Sequence, residues 1–141
     1  MKSQVSTAKA VTLLLFLAIS LRLPTIGSVL SADEAVTFFM HSGSSWQSLF
    51  LSYLGPNQHS LFSVLSNLMI AIFGNSEIAF RMPSVIAGSL AVPLTVLVGN
   101  RLTGSITVGW IAGILMLFSA SNIVWSQLGR GYALTICLSL A

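Results

Sequence analysis

Acidic residues are almost missing from this chain: there are three in 141, Asp33, Glu34 and Glu77. Charged residues of both signs make up only 6%, against about a quarter in soluble domains. So few charges exclude an ordinary water-soluble surface. The single cysteine, Cys137, lies in an apolar run, so no disulfide can form within the chain and cysteine usage is silent on redox compartment. Basic residues number six and are scattered without a run, which gives a nucleic-acid partner no support. His41 and His59 are the only histidines, and no Cys or His pair stands at metal spacing, which argues against a zinc site. What is abundant is apolar: 55% of the chain is hydrophobic. The composition is that of an integral membrane protein, in which the charges mainly encode orientation.

The pattern predicts an all-α, polytopic transmembrane bundle in one module. Lys2 and Lys9 precede a first span at about residues 10–30, interrupted by Arg22 and Pro24. A cleaved signal peptide is the competing reading, with Val11 to Leu21 as its apolar region. Arg22 directly after that region, and the lack of a small-x-small site before Asp33, weigh against it. Lysines at the start place the N-terminus in the cytoplasm and Asp33 outside. Residues 82–99 and 106–125 are long and uncharged enough to be a second and third span. Between them Gly99-Asn-Arg-Leu-Thr-Gly104 reads as a tight turn, and Arg101 in it marks the cytoplasmic side. Residues 31–81 then form an external loop. Residues 131–141 read as the start of a further span that is too short to cross about 30 Å of hydrocarbon, so a longer protein is expected.

Within the external loop, His59 to Phe73 is apolar, yet His59, Ser60, Ser63, Ser66 and Asn67 recur every three or four residues along one helical face. At about fifteen residues it is short for a span. It reads as an in-plane or re-entrant helix with its apolar face in lipid; a four-span alternative would put Arg101 outside. Glu34 to Leu54 reads as a short helix, a break at Ser42 to Ser45, and a second amphipathic piece around Trp46 to Tyr53, whose aromatics suit the headgroup level. Gly55-Pro56-Asn57 is a turn signal.

Adjacent carboxylates near a lipid boundary are costly unless solvated or paired. Asp33 and Glu34 therefore suit a general base or a divalent-cation site. An equally available explanation is helix capping, since Ser31 and Asp33 precede an amphipathic helix. Arg81 before Pro83, and Arg130 before Gly131 and Tyr132, put two guanidiniums on the outer side, against the positive-inside bias. Both suit a phosphate, whose oxygens match the fork, although an exposed pair with Glu77 would also explain Arg81. His59 falls at the same level. Gly109 and Gly113, like Ser84 and Gly88, are small-xxx-small steps for close helix packing.

Five motifs in order, a first helix ending in Arg22-Leu23, then Ser31-Ala-Asp-Glu-Ala35, Asn57-Gln-His-Ser-Leu-Phe62, Phe73-Gly-Asn-Ser-Glu-Ile-Ala-Phe-Arg-Met-Pro-Ser84 and Trp125-Ser-Gln-Leu-Gly-Arg-Gly-Tyr-Ala-Leu134, resemble the N-terminal part of membrane glycosyltransferases that use polyprenyl-phosphate sugars. These form the protein O-mannosyltransferase and aminoarabinose transferase superfamily, with the C-type membrane glycosyltransferase fold. The resemblance implies a polyprenyl-phosphate sugar donor, a lipid, glycan or protein acceptor, and inverting transfer outside the membrane. It also implies Asp33 as catalytic base with Glu34 beside it, and His59, Arg81, Arg130 and Tyr132 as substrate-binding residues. Ser60 stands where a proline is common, and the second loop shows no acid up to Ala141. No cofactor is certain, and a divalent metal stays open. Two rivals are a transporter or lipid flippase, disfavoured because the charges sit at boundaries and no repeat is visible, and a non-catalytic membrane subunit.

Overall fold

The computed structural model describes residues 2–41, 43–52 and 58–141, with side chains from Lys9 onward. The described residues are helical with no strand, as the composition predicts: α1 (Lys2–Ser20), α2 (Ala32–His41), α3 (Trp46–Leu51), α4 (Ser60–Phe73), α5 (Glu77–Thr103), α6 (Ile106–Leu117), α7 (Ala120–Gln127) and α8 (Tyr132–Leu140). Tyr53 and the Gly55-Pro56-Asn57 turn lie outside the described residues.

Helix α5 is the axis of the bundle. It packs against α1, α4, α6, α7 and α8, and it is the one described helix that is by itself long and apolar enough to cross a bilayer. It starts where Ser76 accepts a hydrogen bond from the Ala79 N–H and stops at Gly104, whose φ of +67° is a left-handed cap. The helix is thus longer at both ends than the expected 82–99. Arg81 lies inside it and not at its mouth, and Asn100 to Thr103 are helical, so the turn shrinks to Gly104-Ser105. Pro83 and Pro93 sit inside it without ending it, as a packed membrane helix tolerates.

Two further departures bear on the site. Helix α1 ends at Ser20, well short of residue 30, and the chain from 21 to 31 turns back over α5. The expected third span is broken. α6 and α7 meet at 54°, because Ser119 leaves the helix to cap α7 through the Asn122 N–H. The small residues act as expected. A Cβ on Gly109 would come within 2.5 Å of the Val96 carbonyl, and one on Gly113 would overlap the Val96 side chain, so both glycines let α6 lie directly on α5.

Helix α4 carries its polar stripe inward. Ser66 Oγ donates to the Phe80 carbonyl at 2.9 Å and Asn67 Nδ2 to the His41 carbonyl at 3.0 Å, while Leu68, Ile72 and Phe73 are exposed. Ser66 and Asn67 are thus bound to α5 and α2, Ser60 Oγ donates to the Leu49 carbonyl of α3 at 2.7 Å, and Ser63 is buried. The apolar face points outward, as an in-plane helix at a lipid boundary requires.

Candidate active site

The site grows from the start of α2. Ser31 and Glu34 cap the helix reciprocally: the Ser31 N–H donates to Glu34 Oε2 at 3.0 Å, and Ser31 Oγ accepts from the Glu34 N–H at 3.4 Å. This is a capping box, so the capping explanation holds for Glu34. Consecutive helical residues point about 100° apart, and Asp33 and Glu34 therefore separate. Glu34 turns into the protein, fully buried. Asp33 turns outward, its side chain 65% exposed.

Glu34 meets Arg81 in a two-point pair, Nε to Oε1 at 2.7 Å and Nη2 to Oε2 at 2.9 Å. Its Oε1 also accepts from the Gly129 N–H at 2.6 Å. Burial pushes the Glu34 carboxyl pKa up, but the Arg81 hydrogen bond, the Gly129 and Ser31 N–H groups and the Arg81 charge outweigh it, and the net result is a drop from 4.5 to about 2. Arg81 completes its set with backbone acceptors. Nη1 donates to the carbonyls of Ile26 at 2.9 Å and Ser28 at 2.6 Å, and Nη2 to that of Val29 at 3.3 Å. All five guanidinium N–H donors have a use, and none faces outward. Glu77, the other partner weighed for Arg81, is exposed on the first turn of α5.

Asp33 pairs with the other arginine expected at this level. Arg130 Nη1 lies 2.7 Å from Asp33 Oδ2, and its guanidinium carbon sits 5.4 Å from the centre of the Tyr132 ring. The Arg130 carbonyl accepts from Ser84 Oγ at 2.8 Å, which fixes the loop to α5. Tyr132 stacks against Trp125 with centroids 4.4 Å apart and meets the His59 ring edge-on at 5.2 Å. A cavity of about 180 Å³ opens beside it, lined in part by His59, Ser60, Gly131 and Thr135. Burial first, then the charges of Arg130 and His41, push the His59 pKa below its usual 6.5. The imidazole is therefore neutral at neutral pH and can donate or accept a hydrogen bond, but carries no charge toward an anion.

All six residues singled out from sequence fall in one region, in two layers. Glu34 and Arg81 form one layer; Asp33, Arg130, Tyr132 and His59 form the other, in which Arg130 is also buried. Gly129 joins the two and was not anticipated. A Cβ there would overlap the Phe80 ring, so only glycine brings this N–H onto Glu34. The two acids are held apart by their partners. Glu34's oxygens are taken by Arg81, Gly129 and Ser31, and Asp33 faces Arg130. Among the described residues no three His, Cys, Asp or Glu side chains converge.

The family model for dolichyl-phosphate-mannose-protein mannosyltransferase matches residues 46–129, more than half of the chain. The chain belongs to this mannosyltransferase family. The match covers His59, Arg81 and Gly129 and stops short of Asp33, Glu34, Arg130 and Tyr132. Those four join the matched part through the Glu34–Arg81 pair, the Glu34–Gly129 hydrogen bond and the His59–Tyr132 contact. No curated protein and no solved structure matches the chain. Membership makes it a membrane glycosyltransferase of the mannosyltransferase type, and the helical bundle agrees.

Proposed function

We propose that this chain supplies the outer catalytic layer of a transferase that moves a sugar from a polyprenyl-phosphate donor to an acceptor hydroxyl on the extracytoplasmic side. The N-terminus lies in the cytoplasm in this reading, and the membrane is the plasma membrane. Asp33 is the general base. The observation that carries the assignment is the division of labour between the adjacent acids: Glu34 is buried with every oxygen engaged, whereas Asp33 stands at the surface beside a cation.

In the reaction the acceptor oxygen attacks the anomeric carbon and gives its proton to Asp33. The bond from that carbon to the phosphate oxygen breaks, with its electron pair leaving on the lipid phosphate. A single displacement inverts the anomeric centre. Arg130 is the cation placed to meet the phosphate, since Arg81 has no donor left. His59, which lines the cavity with Gly131, and Tyr132, whose ring meets it edge-on, offer hydrogen bonds and an aromatic face to the sugar. Glu34 acts as a positioning residue that holds Asp33 and the Gly129 loop in register. No metal is needed at the acidic pair, because each carboxylate is matched by a guanidinium. The acceptor in this reading is a protein hydroxyl, in keeping with the family's protein mannosyltransferase activity, and lipid and glycan acceptors are the alternatives to test.

The test is Asp33→Asn in the full-length protein, assayed with labelled polyprenyl-phosphate mannose and a peptide acceptor. Transfer should fall at least about a hundredfold, the usual size of a lost general base, while membrane insertion stays intact. Normal turnover by that variant would remove Asp33 from the chemistry.

A further inference from the structure

We propose that the Asp33–Arg130 pair is a donor-operated latch. Arg130 is shared between Asp33 and the donor's phosphate, so that arrival of the phosphate draws the guanidinium away and frees Asp33 for the acceptor. The inference rests on the reading of Asp33 and Arg130 above and adds to it an ordered release.

The geometry gives three reasons. First, Asp33 Oδ2 is occupied. A guanidinium nitrogen 2.7 Å away stands where an acceptor hydroxyl would approach that oxygen. Second, the alternatives for meeting a phosphate are taken or out of reach. Arg81 is saturated. Arg22 is fully buried beside Gly88, seven residues along α5 from Arg81. That spacing is about 10 Å deeper in the bundle at 1.5 Å per residue. Arg101 is in the last turn at the far end of α5. Third, the pair is made to exchange. Asp33 is largely exposed although Arg130 is buried, so the carboxylate can pass to water when the guanidinium turns to another anion. Arg130 also rests on the Tyr132 ring, which is untouched by loss of Asp33. A phosphate presents more charge than one carboxylate and two oxygens to the fork.

Without donor, therefore, the base is covered and the phosphate cation is neutralised. With donor bound, both change together. The acceptor is deprotonated only when a sugar is present to receive it.

The exchange has a signature opposite to that of an ordinary active-site deletion: removing Asp33 should strengthen phosphate binding. The full-length protein in phosphatidylcholine nanodiscs is titrated with farnesyl phosphate, which carries no sugar and so isolates binding. Asp33→Asn should lower Kd by up to about five-fold, equivalent to about 1 kcal/mol. In an Arg130→Gln background the same substitution should change nothing, because the contested group is gone. Arg130→Lys, which keeps the charge in place, should retain part of the Asp33 effect and serves if the glutamine variant does not fold. Inorganic phosphate runs in parallel. An equal response extends the exchange to any phosphate, and a response to farnesyl phosphate alone ties it to the lipid-linked form. An unchanged Kd in Asp33→Asn overturns the latch. So does equal tightening in both backgrounds, which would be general charge repulsion. Either result is compatible with loss of transfer in Asp33→Asn, so the latch can fail while the base assignment stands.

Discussion

Arg81 reaches across 47 residues of sequence to hold Glu34 by two hydrogen bonds, at 2.7 and 2.9 Å, with both side chains almost wholly buried. Three pieces of chain meet there: the start of α2, the turns after α1, and the loop that carries Gly129 and Arg130. Asp33 is adjacent to one arm and Arg130 to another. The Glu34–Arg81 pair thus ties together the segments that carry Asp33 and Arg130.

Breaking that pair should cost stability as well as activity. Glu34→Gln keeps the shape but leaves a buried guanidinium unmatched, a loss of about 3–5 kcal/mol. Asp33→Asn removes a largely exposed charge and should shift stability by no more than about 1 kcal/mol. Thermal unfolding in detergent, followed by fluorescence of the three tryptophans, should show a clear drop in Tm for the first variant and little for the second. Transfer activity should be lost in both. Equal Tm values would show that Glu34 does not support the fold.

The same pair gives the protein an acid limit. The Glu34 pKa falls from 4.5 to about 2 on folding, so its contribution is complete above about 4.5. It declines as pH drops toward 2, where the folded carboxylate takes up a proton. A melting series from pH 6 to 2 should therefore show Tm falling below pH 4.5, and Glu34→Gln should flatten that limb. A wild-type limb retained in the variant would assign the acid sensitivity to other groups.

Much of this was readable before any coordinates. Sparse charge and long apolar runs gave the helical membrane class, and the glycine steps at 109 and 113 gave the close contact of α5 and α6. Ser31 and Asp33 before an amphipathic helix were readable as a helix start, and the order of motifs pointed to the family. The partners of Arg81 were not readable. They depend on turns at residues 21–31 that bring carbonyls of Ile26, Ser28 and Val29 to one point, and no local periodicity encodes such a return. For the same reason the sequence marked Arg81 and Glu34 as site residues without showing that they pair with each other. The break at Ser119 was hidden by an apolar run whose hydropathy does not change there; only the Ser-x-x-Asn cap betrays it.

Gly129 should tolerate no side chain. Gly129→Ala sets a methyl against Phe80, which itself packs edge-on to Phe38 and Phe62. Relief requires the loop to lift its N–H from Glu34. The expected loss is about 1–3 kcal/mol from overpacking, with Arg130 displaced as well, so kcat should fall further than Tm suggests. Adding Phe80→Leu, which makes room, should recover activity in part. If Gly129→Ala is as active and as stable as the wild type, the loop is not held by this contact.

Orientation can be checked on the same protein. In the proposed topology the residues around the site lie outside and the Arg101 turn lies in the cytoplasm. Val29 is 91% exposed beside the site and Leu102 is 81% exposed beside the turn. Each is changed to cysteine in a background where Cys137 and any cysteine outside residues 1–141 are replaced by serine. A membrane-impermeant maleimide applied to intact cells should label Val29→Cys and leave Leu102→Cys unlabelled until the membrane is opened. Labelling of both cysteines in intact cells would put Arg101 outside, in line with the four-span alternative. With Arg101 outside, the helix α4 segment would have to cross the bilayer and carry the start of α5 to the cytoplasmic side, yet Arg81 there pairs directly with Glu34. That pair therefore favours the in-plane arrangement, and the labelling should follow it.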